Sequence, residues 1–199
     1  MNYNVIKLYW KTLLLRRGTT VTLVLTYKCN LKCDYCILKA PTGSYPSSTI
    51  STIYEWKDII YRFPVRIKEI YLSGGEATLH PQFAEITNWL LDEGYHVKLF
   101  SNLVAIDEIL KVKKSYRFMV TTTYHKDMNL GTFLRNYLRV TKKHRVDVHE
   151  LGTQKIHFSK LYPIVKDANK MGDQLFRFSP DRKLFIGCYD VTRSHSVFV

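Results

Sequence analysis

Two kinds of hydrophobic pattern alternate along the chain. Thr20 to Thr26 (TVTLVLT) is short, β-branched and apolar, the mark of a buried strand. From Ser48 to Phe63 the apolar residues Ile50, Ile53, Trp56, Ile59 and Ile60 recur at helical spacing, behind Ser and Thr residues suited to an N-cap. Ile67 to Leu72 reads as a second strand running into Ser73-Gly74-Gly75. Pro81 then sits where a first-turn proline would open a helix striped by Phe83, Ile86, Trp89 and Leu90. The beat repeats with strand His96 to Phe100, helix Ile106 to Val112, strand Phe118 to Thr123 and helix Thr132 to Lys143. Strand Val146 to Leu151 and helix Ser159 to Lys170 follow. Leu175 to Phe178 and Lys183 to Ile186 read as a last strand or as a hairpin around Pro180-Asp181.

Strand–helix alternation with short connections predicts an α/β fold, a parallel sheet with its helices outside. Five or six units fit into the chain, short of the eight in a complete barrel of about 250 residues. The expectation is a single domain built as an open, partial (β/α)6-type TIM-like barrel. Its core runs over 20–178, with an N-terminal extension at 1–19 and a short C-terminal extension at 179–199. Functional loops of such a fold gather at the carboxyl ends of the strands.

Composition narrows the class. With 46% hydrophobic and 24% charged residues, the chain is no disordered polymer. No stretch approaches the roughly 18 apolar residues of a membrane span, so a soluble protein without membrane contact is expected. No acid precedes Asp34, as in some transit peptides, but that segment is poor in Ser, and a cytoplasmic protein without a targeting segment is the expectation. Lys and Arg number 30 against 17 acids, a net charge of +13 that attracts anionic partners. Arg135, Arg139, Lys142 and Lys143 stripe one predicted helix, either as a solvated face or as a track for phosphates, with Tyr137 placed to stack a base.

The four cysteines change the picture further. Cys29, Cys33 and Cys36 form C-x3-C-x2-C just past the first strand, at the predicted catalytic face, and Cys188 stands alone. Such crowding in a reducing compartment points to metal ligation before disulfides. Three thiolates suit an iron–sulfur cluster with one iron left open. Zinc is the alternative, with Cys188 as a fourth ligand, although a second C-x2-C or H-x3-H pair is missing.

The cysteine spacing, with Tyr35 before the last Cys, resembles the signature of the radical S-adenosylmethionine (radical SAM) superfamily. The resemblance implies a [4Fe–4S] cluster on Cys29, Cys33 and Cys36, with SAM on the fourth iron. It also implies reductive cleavage to methionine and a 5′-deoxyadenosyl radical, with a flavodoxin or ferredoxin type of electron donor. Gly74-Gly75-Glu76, one βα unit later, is similar to the family's GGE motif, which contacts the amino group of SAM. Ser101 and Asn102 end the third strand, where members carry a polar residue near the SAM ribose, though Leu103 replaces the glycine that usually follows. Thr123 ends the fourth strand as a further cofactor contact, with Tyr124 and His125 at the pocket mouth. His149 and Glu150 hold the equivalent place after the fifth strand. His125, His149, Glu150 and Cys188 are the candidates for substrate chemistry. The substrate itself is open. The basic charge favours a nucleoside or nucleic-acid base, and the same chemistry on a peptide or glycyl-radical protein, or a basic zinc module without catalysis, are the alternatives.

Overall fold

The computed structural model describes residues 18–33, 36, 52–125, 128–150, 166–167, 176–178 and 184–186. Its strands are β1 (Thr19–Thr26), β2 (Ile67–Gly74), β3 (His96–Ser101), β4 (Phe118–Thr123) and β5 (Arg145–Glu150). Three short ones follow: β6 (Lys166–Asp167), β7 (Phe176–Phe178) and β8 (Leu184–Ile186). The helices are α1 (Ile53–Tyr61), α2 (Phe83–Asp92), α3 (Asp107–Lys111) and α4 (Leu130–Thr141), with one 3-10 turn at Ala77–Leu79.

All lie in one sheet of order β6-β5-β4-β3-β2-β1-β7-β8. From β1 to β6 each strand pairs parallel with the one before it. Right-handed crossovers that always step in the same direction put every helix on the same face of the sheet. A sheet clad on one face curls, and the result is the open, partial TIM-like barrel expected from the alternation. β7 pairs parallel with the free side of β1, and β8 returns antiparallel, so the hairpin reading of the C-terminal strands holds. Lys166 and Asp167 are strand residues beside β5, which corrects the helix expected over 159–170 at those two positions.

Alternation decides which side chains meet the helices. Val21, Leu23 and Leu25 of β1, Ile70 and Leu72 of β2, Val97 and Leu99 of β3, and Phe118 and Val120 of β4 are buried in one core. Against them pack Trp56, Ile59 and Ile60 of α1, Phe83, Ile86 and Leu90 of α2, and Phe133 and Val140 of α4. Two of the three larger helices begin where a side chain caps them. Thr52 and Glu55 form a reciprocal capping box at α1, and Asn129 accepts from Thr132 N at α4. Pro81 does not open α2. The helix begins two residues later behind Gln82, because Phe83 N is already taken by His80 O in a preceding turn.

Candidate active site at the carboxyl ends of the strands

The loop carrying the cysteines leaves β1 from a fixed root. Gly75 N donates to Thr26 O at 2.9 Å and Glu76 N donates to Lys28 O at 2.8 Å, so β2 keeps pairing with the chain past the end of β1. Only glycine permits this approach. A Cβ on Gly74 would stand 2.2 Å from Thr26 O, and one on Gly75 2.4 Å from Lys28 O. Gly74 also has a φ of 149°, outside the range of ordinary L residues.

Cys29, Cys33 and Cys36 are free thiols, each half-buried. Cys29 Sγ accepts from Leu31 N at 3.5 Å, and Cys36 N donates to Cys33 O at 3.2 Å, a turn that brings the second and third cysteines to one side. Burial pushes the Cys29 thiol up. The Leu31 amide opposes that, while negative charge on Glu76, Cys33 and Cys36 adds to it. Three thiolates on one loop therefore need a cation among them, and three soft sulfur donors fit an iron–sulfur cluster. Among the described residues, no three His, Cys, Asp or Glu side chains already surround a point fit for one ion. Tyr35 and Cys188 lie outside the described residues.

Glu76 is turned inward. It is 1% exposed, and Oε1 accepts from Thr78 N at 3.3 Å and Thr78 Oγ1 at 2.8 Å while Oε2 accepts from Asn102 N at 2.8 Å. Burial pushes its carboxyl up, and the donors Asn102, Thr78 and Ser101 pull it back part of the way. Asn102, at the end of β3, also donates from Nδ2 to Asn30 Oδ1 at 2.7 Å and accepts from Val104 N at 2.9 Å. The amide expected near a ribose thus ties β3 to the cysteine loop. Asn30 was not singled out by the sequence, where an Asn inside a loop is simply turn chemistry. Ser101 Oγ accepts from Leu103 N at 3.1 Å. Leu103, fully buried, takes a φ of 58° at the very position where a glycine was missing from the pattern.

At the end of β4, His125 Nδ1 lies 3.5 Å from Cys33 Sγ, which places this residue against the cysteine loop. Tyr124 does not face the mouth: its hydroxyl donates to Met128 O at 2.9 Å and its ring packs edge-on against Phe133 of α4. Thr123 is half-buried and pairs across to His149, which is buried on β5, with Glu150 at the end of that strand. The basic stripe of α4 is partly engaged within the fold. Lys143 Nζ donates to Leu110 O at 2.6 Å, Arg139 sits 3.9 Å from Asp107, and Tyr137 stacks on Phe133. A separate concavity of about 690 Å³, between Ile60–Lys68 and Glu93–His96, lies at the opposite end of β2 and β3.

Residues 23–159 match the family model of the radical SAM superfamily. The chain belongs to this superfamily. Its members bind a [4Fe–4S] cluster and SAM. Over 87 residues it is 31% identical to a Methanocaldococcus jannaschii protein named as a candidate glycyl-radical enzyme activating enzyme, covering 44% of this chain and 33% of that one. Over 84 residues it is 32% identical to an S-adenosylmethionine-dependent nucleotide dehydratase of Selenomonas ruminantium, covering 41% and 29%. The chain thus spans about a third of the length of these relatives. In fold it is similar to SuiB of Streptococcus suis. The SAM-bound form gives a TM-score of 0.59 at 9% identity, over 97% of this chain and 67% of that one. The form bound to the precursor peptide SuiA gives 0.59 at 12%, over 77% and 38%. Among the described residues no helix is long and apolar enough to cross a membrane.

Proposed function

We propose that this enzyme holds its cluster on Cys29, Cys33 and Cys36 and abstracts a hydrogen atom from a nucleoside or nucleic-acid base bound inside the barrel. The observation that carries this reading is the joined architecture at the strand ends. The glycine pair roots the cysteine loop on β1 and β2, and Asn102 fastens the same loop to β3 and Glu76. When bound, the cluster supplies the electron that cleaves SAM to methionine and a 5′-deoxyadenosyl radical. The chain's own contribution is positional. The Gly74–Glu76 backbone and the strand ends at Ser101, Asn102 and Thr123 border the SAM site, while His125 packs beside Cys33. His149, Glu150 and Cys188 are the candidates for substrate chemistry. The electron comes from a flavodoxin or ferredoxin type of donor, in the cytoplasm.

The net charge of +13 favours a nucleotide-like substrate. A peptide is the second reading, favoured by the fold shared with SuiB, which was seen with a precursor peptide. The test is anaerobic reconstitution with iron and sulfide, reduction in the presence of SAM, and chromatography for 5′-deoxyadenosine. About four irons per chain and deoxyadenosine formation are expected, with Cys33→Ala losing both. One zinc per chain with SAM untouched would overturn the reading.

A further inference from the structure

The sheet face turned away from the helices carries a row of side chains, one per strand. Register sets Thr22 beside Tyr71, Tyr71 beside Lys98, Lys98 beside Met119 and Met119 beside Arg145. Their neighbours Leu23, Leu72, Leu99 and Val120 point the other way into the core, so this row faces the inside of the barrel. Lys98 is half-buried on a central strand, its Nζ 5.1 Å from the centroid of the Tyr71 ring. Arg145 is exposed at the start of β5, and neither it nor Lys98 forms an ion pair with a described residue. The acids on the same face are occupied: Glu69 is hydrogen-bonded to the Tyr71 phenol, and Asp147 has a partner of its own. Burial first, and then Glu69, push the phenol up to about 12, so Tyr71 adds no negative charge to the row.

A lysine without a carboxylate partner is an unusual side chain to keep on the inner face of a central strand, where an anion entering the barrel would meet it. We propose that Lys98 and Arg145 form a floor that takes the phosphate chain of the substrate, so that the substrate is a nucleotide carrying two or more phosphates. Two spans support a chain over a single anionic group. Lys98 and Arg145 are two strand spacings apart at the backbone, roughly 10 Å, which lets a phosphate chain place one phosphate on each cation. The row also lies four residues below Thr123, about 13 Å along the strand, so a ligand touching both the floor and the strand ends is long. This inference rests on the radical SAM reading only for the direction from which the substrate is attacked.

Binding is measured on the anaerobically reconstituted full chain by titration calorimetry, with tripolyphosphate, ATP, adenosine and citrate as probes. Tripolyphosphate and ATP are expected to bind, and adenosine and citrate to bind at least about tenfold more weakly, the worth of a charge-assisted hydrogen bond or two. Lys98→Gln should weaken tripolyphosphate by about tenfold and Arg145→Gln by severalfold, while Lys98→Arg retains most of the affinity. Lys142→Gln, on the exposed end of α4, is the control for bulk charge and should change little. Equal affinity of the Lys98→Gln and Lys142→Gln proteins, citrate binding as well as tripolyphosphate, or no binding of either phosphate probe would overturn the floor. Deoxyadenosine formation is scored separately. Loss of that activity with phosphate binding intact would count against the radical chemistry and leave the floor standing.

Discussion

Asn102 Nδ2 donates to Asn30 Oδ1 at 2.7 Å, and through this bond the end of β3 grips the loop that carries Cys29, Cys33 and Cys36. The backbone amide of the same Asn102 is bonded to the buried Glu76 carboxylate, so the amide contact joins the cysteine loop to both neighbouring strands. A part-buried hydrogen bond of this kind contributes about 1 kcal/mol, roughly a fivefold effect on an equilibrium. Asn30→Ala should therefore release iron to a chelator several times faster than the parent protein. Asn30→Asp, which still presents an acceptor to Nδ2, should hold iron nearly as well. Iron loss followed by absorbance checks this, and identical rates for the Ala and parent proteins would remove the coupling.

Gly75, like Gly74, is expected to tolerate no side chain. An added Cβ would meet Lys28 O, Tyr27 O and Lys28 C at 2.4, 2.6 and 2.7 Å, all of them backbone atoms that cannot swing aside. Gly75→Ala should thus separate β2 from the root of the cysteine loop, lowering both thermal stability and iron content. The control is Gly131→Ala at the start of α4, where the nearest atom is a side-chain oxygen at 3.3 Å and the helix gains a better former. Its melting temperature and iron content should match or exceed the parent's.

Much of this architecture was legible in residue patterns, and the exceptions have physical causes. Period-two runs such as Thr20 to Thr26 and helical stripes such as Ile53, Trp56, Ile59 and Ile60 found β1 to β5 and α1 to α4 because burial on one face selects those periods. Lys166 and Asp167 failed the same logic. Two residues show no periodicity, and the stripe around them reads as a helix until a strand beside β5 claims them. At the site, residue type fixed position but not orientation. Glu76 is expected from the GGE run to contact the cofactor, and in the fold its carboxylate turns inward to the donors of Thr78 and Asn102, which only the folded strand ends bring to it. The row from Thr22 to Arg145 was invisible in sequence, because it exists only once strand register is set.

Leu103 reverses the usual order of side-chain truncations. Its φ of 58° costs an L residue about 1–2 kcal/mol, a cost that full burial and the bond from Asn136 Nδ2 to its carbonyl at 2.7 Å hold in place. Leu103→Ala keeps the strain and loses the buried side chain, for about 2–5 kcal/mol in total. Leu103→Gly loses the same packing but relieves the backbone. Urea denaturation should rank Gly at least as stable as Ala here, whereas glycine elsewhere in a fold is the less stable of the two. The ordinary ranking would show that the backbone at 103 relaxes out of the left-handed region.

His144 sets a pH dependence whose sign is fixed by its two nitrogens. Nε2 lies 3.1 Å from Ile109 O and donates to it, which leaves Nδ1 as the unprotonated nitrogen, buried and without a hydrogen-bond partner among the described residues. The ring packs edge-on against Phe118 with centroids 4.9 Å apart. Protonation would place a charge on Nδ1 in the core. Burial accordingly lowers the imidazole, and Lys143 lowers it further, while the bond to Ile109 O offsets part of this. Because the folded value lies below the unfolded value of about 6.5, the unfolded chain takes up the proton first as the pH falls. The stabilisation is fully present above that value and is lost as the pH drops towards the folded one. His144→Gln keeps a donor for Ile109 O but cannot titrate. The difference in urea midpoint between the parent and this variant should therefore shift against the parent from pH 7.5 to pH 5.5. A difference that stays constant across that interval would mean that His144 is already free to protonate in the folded state.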